Sequence, residues 1–218
     1  MRGRMFATGG GMALLLAACA STPLSHYYSL AGQDAPAPAL AASQMEYKAG
    51  SGQAYGLQLQ VRSIPADVDR SQIVVRDPAH APAVDVLNQS IWSAPLDQQV
   101  QRVLATGLAT RLGVVDVQRL PTAPGMLVRS MDVRITQFDL IWGQGAYLSA
   151  VWTDQGMTGK PAQVCQAAVQ SKAPVGVANL VNAQKRNLAA LVSLMADPTA
   201  SPVGGLPDDT QVNHIGCT

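Results

Sequence analysis

The sequence predicts an α/β domain in which two amphipathic helices pack on a mixed β-sheet. Two segments, about 95–112 and 177–196, carry apolar residues at helical spacing. Around them lie about seven shorter segments with strand character, of which the clearest is 131–135, where apolar and polar residues alternate. Each helix has one apolar stripe to bury, and a sheet offers the matching apolar face.

The first 18 residues have the composition of a signal peptide. A basic start precedes an apolar run over 5–18, which is too short to cross a bilayer core of about 30 Å as a helix. The run ends in Leu16-Ala17-Ala18-Cys19, which is similar to a bacterial lipobox. In lipoproteins of that kind, cleavage precedes the cysteine, and its thiol and the new amino terminus are acylated. We therefore expect removal of 1–18 and an anchor on Cys19 that does not span the membrane. The alternative is an ordinary secretory cleavage site beside an accidental cysteine.

The mature chain is almost neutral. Removal of 1–18 leaves 13 Lys and Arg against 14 Asp and Glu, so no basic surplus marks a binder of nucleic acid. About 200 residues suit one domain with extensions. We divide them into a lipidated segment with a short strand and a flexible loop (19–56), the α/β domain (57–196) and a C-terminal tail (197–218). The residue after the cysteine is Ala20. In Gram-negative lipoproteins of this kind, an aspartate at that position usually keeps the protein at the inner membrane. We therefore expect the periplasmic face of the outer membrane.

The part of the chain before the first helix predicts short strands separated by turns and loops. Aromatic residues favour a strand at 26–30, and the segment 31–56, rich in Ala, Pro and Gly, is typical of a long surface loop. Apolar and polar residues alternate over 57–62, as in a half-buried strand. The elements expected next are a turn at 65–70, a strand at 73–76, a loop at 77–82 and a strand at 83–87.

The first helix is expected from about Pro95, which suits a first helical turn, to residue 112, and Gly113 suits its termination. A strand over 114–120 and a loop over 121–125 should follow. The apolar stripe of this helix consists of Leu96, Val100, Val103, Leu104, Leu108 and Leu112.

A three-stranded meander should come next. Apolar and polar residues alternate over 131–135, but the apolar phase resumes at Phe138, so we expect a β-bulge near 136–137. Gly143-Gln144-Gly145 suits a hairpin loop. The remaining elements are a return strand at 146–153, a turn at 156–161 and a third strand at 163–170.

The second helix is expected over 177–196 and ends at Asp197-Pro198. Residues 199–218 then form a tail, rich in Pro and Gly, that little holds to the body. The apolar stripe of this helix consists of Leu180, Val181, Leu188, Leu191, Val192 and Met195.

Two cysteines remain if Cys19 is acylated. Beyond the inner membrane the surroundings are oxidising, so we expect Cys165 and Cys217 to form a disulfide that ties the tail to the body. A loop of about 50 residues gives roughly 4 kcal/mol in the loop-entropy model. The alternative is two free thiols. No C-x-x-C occurs and the histidines are scattered, so we expect no metal site.

Catalytic signatures are absent from the sequence. It contains no G-x-S-x-G and no H-E-x-x-H, so we expect no catalytic residue, no cofactor and no enzyme. An envelope hydrolase is the alternative, and it requires His80 or His26 beside a serine and an aspartate in a cleft. Trp92, Trp142 and Trp152 suit a ligand groove, although such residues are more often core contacts.

Several motifs together carry a family resemblance. They are Tyr27-Tyr28-Ser29-Leu30 soon after the lipobox, Ile64-Pro65-Ala66-Asp67-Val68-Asp69-Arg70-Ser71-Gln72-Ile73-Val74, Trp92-Ser93-Ala94-Pro95-Leu96, Gln137-Phe138-Asp139 before the Gly-x-Gly hairpin, Leu148-Ser149-Ala150-Val151-Trp152, and Leu180-Val181-Asn182-Ala183. In this order the chain resembles the ABC-type transport auxiliary lipoproteins, the PqiC/YmbA-like family, over most of 19–196. The loop 31–56, the two later cysteines and the tail depart from the pattern.

The resemblance implies a three-layer α/β fold and an accessory role. Family members work with lipid-binding MCE-domain proteins and with an ABC-type permease and ATPase, which move phospholipids or other hydrophobic molecules between membranes. The lipoprotein would dock the periplasmic MCE component, and an oligomer of this chain would match an oligomeric MCE tube. No individual contact residue carries over. A lipoprotein of outer-membrane assembly is a further alternative.

Overall fold

The computed structural model of the chain describes residues 24–31, 55–120, 124–156, 161–198 and 206–218. The predicted signal peptide, Cys19 and most of the predicted loop 31–56 lie outside the described residues.

The predicted α/β class is confirmed, with a mixed sheet and two helices. Within the described residues the helices are α1 (Leu96–Leu112) and α2 (Val177–Ala196). The strands are β1 (His26–Tyr28), β2 (Tyr55–Ser63), β3 (Gln72–Arg76), β4 (Val84–Trp92), β5 (Val115–Asp116), β6 (Leu127–Ile141), β7 (Gly145–Asp154), β8 (Gln163–Lys172) and β9 (Thr210–Cys217).

The long strand β6 is the centre of the sheet. On one side, β2 runs parallel to its first half, and Arg76 of β3 pairs with its last residue, Ile141. Strand β4 is antiparallel to β3, and β1 runs parallel to the end of β4. On the other side, β7, β8 and β9 follow as antiparallel neighbours. The short β5 extends the sheet beside the start of β2.

Both helices pack on the same face of the sheet, which we call the helix face. Helix α1 lies against β2, α2 lies against β7 and β8, and the two helices contact each other. Buried side chains such as Leu59, Trp152 and Leu188 fill the space between these layers. The described residues therefore form two layers, where the resemblance implies three. Within them, no helix packs on the opposite face, which we call the open face.

The predicted β-bulge is confirmed. The register of β6 against β7 shifts between Ile135 and Gln137. The extra residue returns the apolar phase to the helix face, so Ile135 and Phe138 are both only 2% exposed. As a consequence, Gln137 and Asp139 point to the open face.

Three strand predictions need correction. The strand expected at 83–87 continues to Trp92, because β1 and β3 pair with its second half. The strand expected at 114–120 has only two residues, Val115 and Asp116. The last backbone bond to β2 is from Val117 N–H to Leu57 O, and beyond it the chain turns away from the sheet.

The C-terminal tail is the third correction. Residues Thr210–Cys217 are not a loose tail but form β9, which pairs along most of β8. Val212 and Ile215 pack against the core. A register shift between Ala168 and Val169 interrupts the alternation of β9, and this hides the strand in the sequence.

Candidate functional site

The structure brings the two later cysteines together. Cys165 of β8 and Cys217 of β9 are paired residues, with Cα atoms 4.1 Å apart and sulfur atoms at bonding distance. Thr218 N–H donates to Val164 O (3.0 Å), which makes the cysteines a non-hydrogen-bonded pair, the arrangement in which facing side chains are closest. The geometry therefore suits a disulfide. Cys19, the predicted lipidation site, lies outside the described residues.

A polar cluster lies on the open face, where the end of β3 meets the end of β6. We call Arg76, Asp67, Asp139, Gln137 and Ser149 the Arg76 cluster. Arg76 Nε donates to Asp139 Oδ1 (2.8 Å), and its Nη2 donates to Asp67 Oδ2 (2.9 Å). Gln137 Nε2 donates to Asp139 Oδ2 (2.7 Å), and Ser149 Oγ donates to Gln137 Oε1 (3.1 Å). The guanidinium of Arg76 therefore bonds to one residue from each of two motifs that carry the family resemblance, Asp67 of 64–74 and Asp139 of 137–139.

The two carboxylates of the cluster hold Arg76 in its ionised form. The hydrogen bond from Arg76 to Asp139 raises the pKa of Arg76, partial burial opposes this, and the charges of Asp139 and Asp67 add to it. Arg76 therefore stays cationic, and the cluster as a whole carries one net negative charge. Ser149 donates its proton to an amide rather than to a base, so this arrangement does not activate a nucleophile. The cluster presents charged and amide groups whose positions are fixed by hydrogen bonds.

The polar surface continues to both sides of the cluster. On the β2 side, Arg62 Nε bonds to Asp132 Oδ1 (2.7 Å), and Arg134 is exposed beside them. On the β8–β9 side, a row of amides and one imidazole is linked by hydrogen bonds of 2.9–3.2 Å. This row consists of Gln166, Gln170, Gln211, Asn213 and His214.

Three motif aromatics, Trp92, Phe138 and Trp152, lie behind the cluster in the core. Trp92 is 4% exposed and meets Phe138 edge to face, with ring centroids 6.3 Å apart. Trp152 is 1% exposed. These two tryptophans are core contacts rather than groove walls, whereas Trp142 is only half-buried beside the hairpin.

The histidines do not meet the geometry that the hydrolase alternative requires. His80 Nδ1 bonds to Asp77 Oδ2 (2.9 Å) on an exposed 3-10 turn. The backbone N–H of Ala79, and secondarily His80, lower the pKa of Asp77. Among the described residues, neither His80 nor His26 forms a hydrogen bond with a serine.

Two open clefts flank the sheet. One, of about 520 Å³, lies between Tyr147, Lys172 and Asp209 at the β6–β7 hairpin. The other, of about 430 Å³, contains the ion pair of Arg129 with Asp154, both less than a fifth exposed. Burial lowers the pKa of Arg129, but the interactions with Asp154, and to a smaller extent with Tyr55, raise it by more, so the pKa is raised overall.

The part of the chain that the structure describes lacks two features. There, no group of three or more potential metal ligands comes together. No described helix has the length and apolar character needed to cross a membrane.

Sequence reasoning missed Arg76 as the centre of the cluster. The available signal is its place as the one charge after the apolar run Ile73-Val74-Val75, at the end of a strand. Its partners are 9 and 63 residues away in the chain, so no local pattern identifies them.

Comparison with known proteins gives one family and a shared fold. The model of the family described as "ABC-type transport auxiliary lipoprotein component" matches residues 38–196. No curated protein matches the chain. A crystal structure of an uncharacterized protein is similar, with a TM-score of 0.57 at 17% identity, over 82% of this chain and 100% of the other. The Xanthomonas campestris protein XCC0632, of family DUF330, is similar with a TM-score of 0.51 at 14% identity, over 67% of this chain and 83% of that one.

Proposed function

The chain belongs to the family of ABC-type transport auxiliary lipoprotein components, and on this premise we propose that it is the lipid-anchored, non-catalytic accessory subunit of an MCE/ABC-type intermembrane transport system. The observation that carries the proposal is the family match over 38–196. The transported molecule would be a phospholipid or another hydrophobic compound.

The anchor would be the acylated Cys19, at the periplasmic face of the outer membrane. The lipobox and Ala20 support this placement. The described domain starts only a few residues later and is fixed there, since Leu30 N–H donates to the buried Gln99 Oε1 (2.8 Å) and Ser93 N–H donates to Tyr28 O (2.8 Å). A domain attached so close to its lipid stays near the bilayer.

The partner surface would be the open face around the Arg76 cluster. The ion pairs and hydrogen bonds of the cluster fix its side chains in the free protein. Less side-chain entropy is therefore lost when a partner binds. Hydrogen-bonding groups with an unbalanced carboxylate suit a polar partner surface that carries positive charge. We assign this surface to the periplasmic MCE-domain protein, which links the lipoprotein to the permease and ATPase.

Two further features belong to the proposal. A disulfide between Cys165 and Cys217 would hold β9, the edge strand, in the oxidising periplasm. Several copies of this chain would match an oligomeric MCE partner in symmetry. Light scattering on the acyl-free protein tests the second feature, and a monomer at high concentration contradicts it.

A pull-down from detergent-solubilised membranes tests the function. The tagged, acylated protein should recover an MCE-domain protein with its permease and ATPase. Arg76→Ala should reduce this recovery, whereas Arg111→Ala, an exposed change on α1, should not. Recovery of porin-assembly factors alone would instead favour outer-membrane assembly, and recovery of cell-wall factors with hydrolytic activity would favour the envelope hydrolase.

A further inference from the structure

Three loops form one continuous surface at one end of the sheet. They are 142–144 in the β6–β7 hairpin, 77–83 between β3 and β4, and 173–176 before α2, and we call this surface the hairpin end. Trp142 N–H donates to Arg76 O (3.0 Å), and Ala173 N–H donates to Gln144 O (3.3 Å). A Cβ on Gly143 would lie 3.9 Å from Val175 Cγ2.

The hairpin end exposes apolar side chains. Val175 is 71% exposed at a loop tip, Val84 is 38% exposed, and Trp142 is half-buried. The opposite end of the sheet also exposes apolar residues, among them Leu120 at 54%, Val164 at 45% and Met126 at 36%. Exposure alone therefore does not distinguish the two ends.

The direction of the chain does distinguish them. Strand β1 is parallel to β4, with His26 opposite Ser90, so the chain before His26 comes from the side of the β4 start. That start, Val84, pairs with Arg76 at the hairpin end. Leu24, the first described residue, is 78% exposed. Four residues lie between it and Cys19, and the five Cα–Cα steps from one to the other span at most about 18 Å.

We propose that the hairpin end rests on the phospholipid bilayer that holds the lipid on Cys19, so that the sheet stands upright on the membrane. This rests on the lipidation of Cys19 in the proposed function. Val175 and Trp142 enter the interface between headgroups and acyl chains, where amphipathic tryptophan is favoured. The exposed Lys172 lies at the same end and meets the headgroups. The open face then stands at an angle to the membrane and remains accessible to a partner.

Tryptophan quenching by brominated phosphatidylcholine tests the orientation. The full acylated protein is reconstituted into vesicles with the Trp142→Phe background, in which the two buried tryptophans give a constant signal. Val175→Trp should lose emission relative to unbrominated vesicles, and Leu120→Trp, an exposed site at the opposite end, should not. Quenching of Leu120→Trp alone, or of neither variant, overturns the orientation.

Flotation of the same vesicles separates the two proposals. Protein that floats, with Cys19→Ser remaining at the bottom, supports the anchor, and the quenching result then decides the orientation. If the acylation-competent protein does not float, the anchor fails and the orientation fails with it.

Discussion

The side chain of Asn187 connects α2 to the sheet by hydrogen bonds, and the stability lost on its removal can be worked out from them. Asn187 is fully buried; its Nδ2 donates to Ala146 O (2.9 Å) and Gln184 Oε1 (3.2 Å), and its Oδ1 accepts from Ser171 Oγ (2.7 Å). Asn187→Ala removes three hydrogen bonds and leaves buried polar groups without this partner. At about 1 kcal/mol for each bond, we expect a loss of about 3 kcal/mol. In a domain of this size the Tm should fall by about 6–12 °C.

Urea unfolding followed by circular dichroism measures this loss. The matched control is Asn182→Ala, the same change at an exposed position of the same helix, which should stay within about 0.5 kcal/mol of the wild type. Both variants gain the same helix propensity from Asn to Ala. The difference between their free energies of unfolding therefore measures the buried contacts of Asn187 alone. If Asn187→Ala costs no more than its control, the buried amide does not hold α2 to the sheet.

Three further predictions follow from the other polar contacts. Cys217→Ser should lower the free energy of unfolding by up to about 4 kcal/mol in non-reducing buffer and by nothing in reducing buffer, because the proposed disulfide would close a loop with a sequence separation of 52; equal losses in both buffers would exclude the bond. Asp154→Asn should cost about 3 kcal/mol in thermal unfolding, because it leaves the guanidinium of Arg129 buried without its counter-charge; a neutral result would show that the pair is solvated. An NMR titration of the Asp77 carboxyl should give a pKa below the ordinary value, because the Ala79 N–H bonds to the charged form. The stability it contributes is present above the unfolded pKa and is lost as pH falls through the folded one, and an ordinary pKa would contradict the bonded turn.

Local periodicity was sufficient to predict the long helices and the central strand of the fold. The stripes of α1 and α2 are several turns long, and the phase slip before Phe138 identifies the bulge because one extra residue reverses the face. The strand β9 was missed because its apolar residues are few and its register shifts. Periodicity gives the apolar side of each helix but not the face of the sheet that it covers, so the packing of both helices on one face follows only from the tertiary structure.

The candidate site depends on contacts that are distant in sequence. The motif Gln137-Phe138-Asp139 is visible in the chain, but its meeting with Arg76 requires β3 to lie beside the end of β6. The same holds for Gln101 of α1, whose side chain bonds to the backbone of β2 at Leu59 and Val61. In the sequence such residues are only polar positions on a helix. Their roles follow from tertiary packing.

The intact mass of the mature protein, taken from purified outer membranes, tests the anchored-subunit account most directly. We expect a chain that begins at Cys19 and carries acyl chains on its thiol and its amino terminus. A mature chain with an unmodified cysteine, recovered from the water-soluble periplasmic fraction, would contradict it.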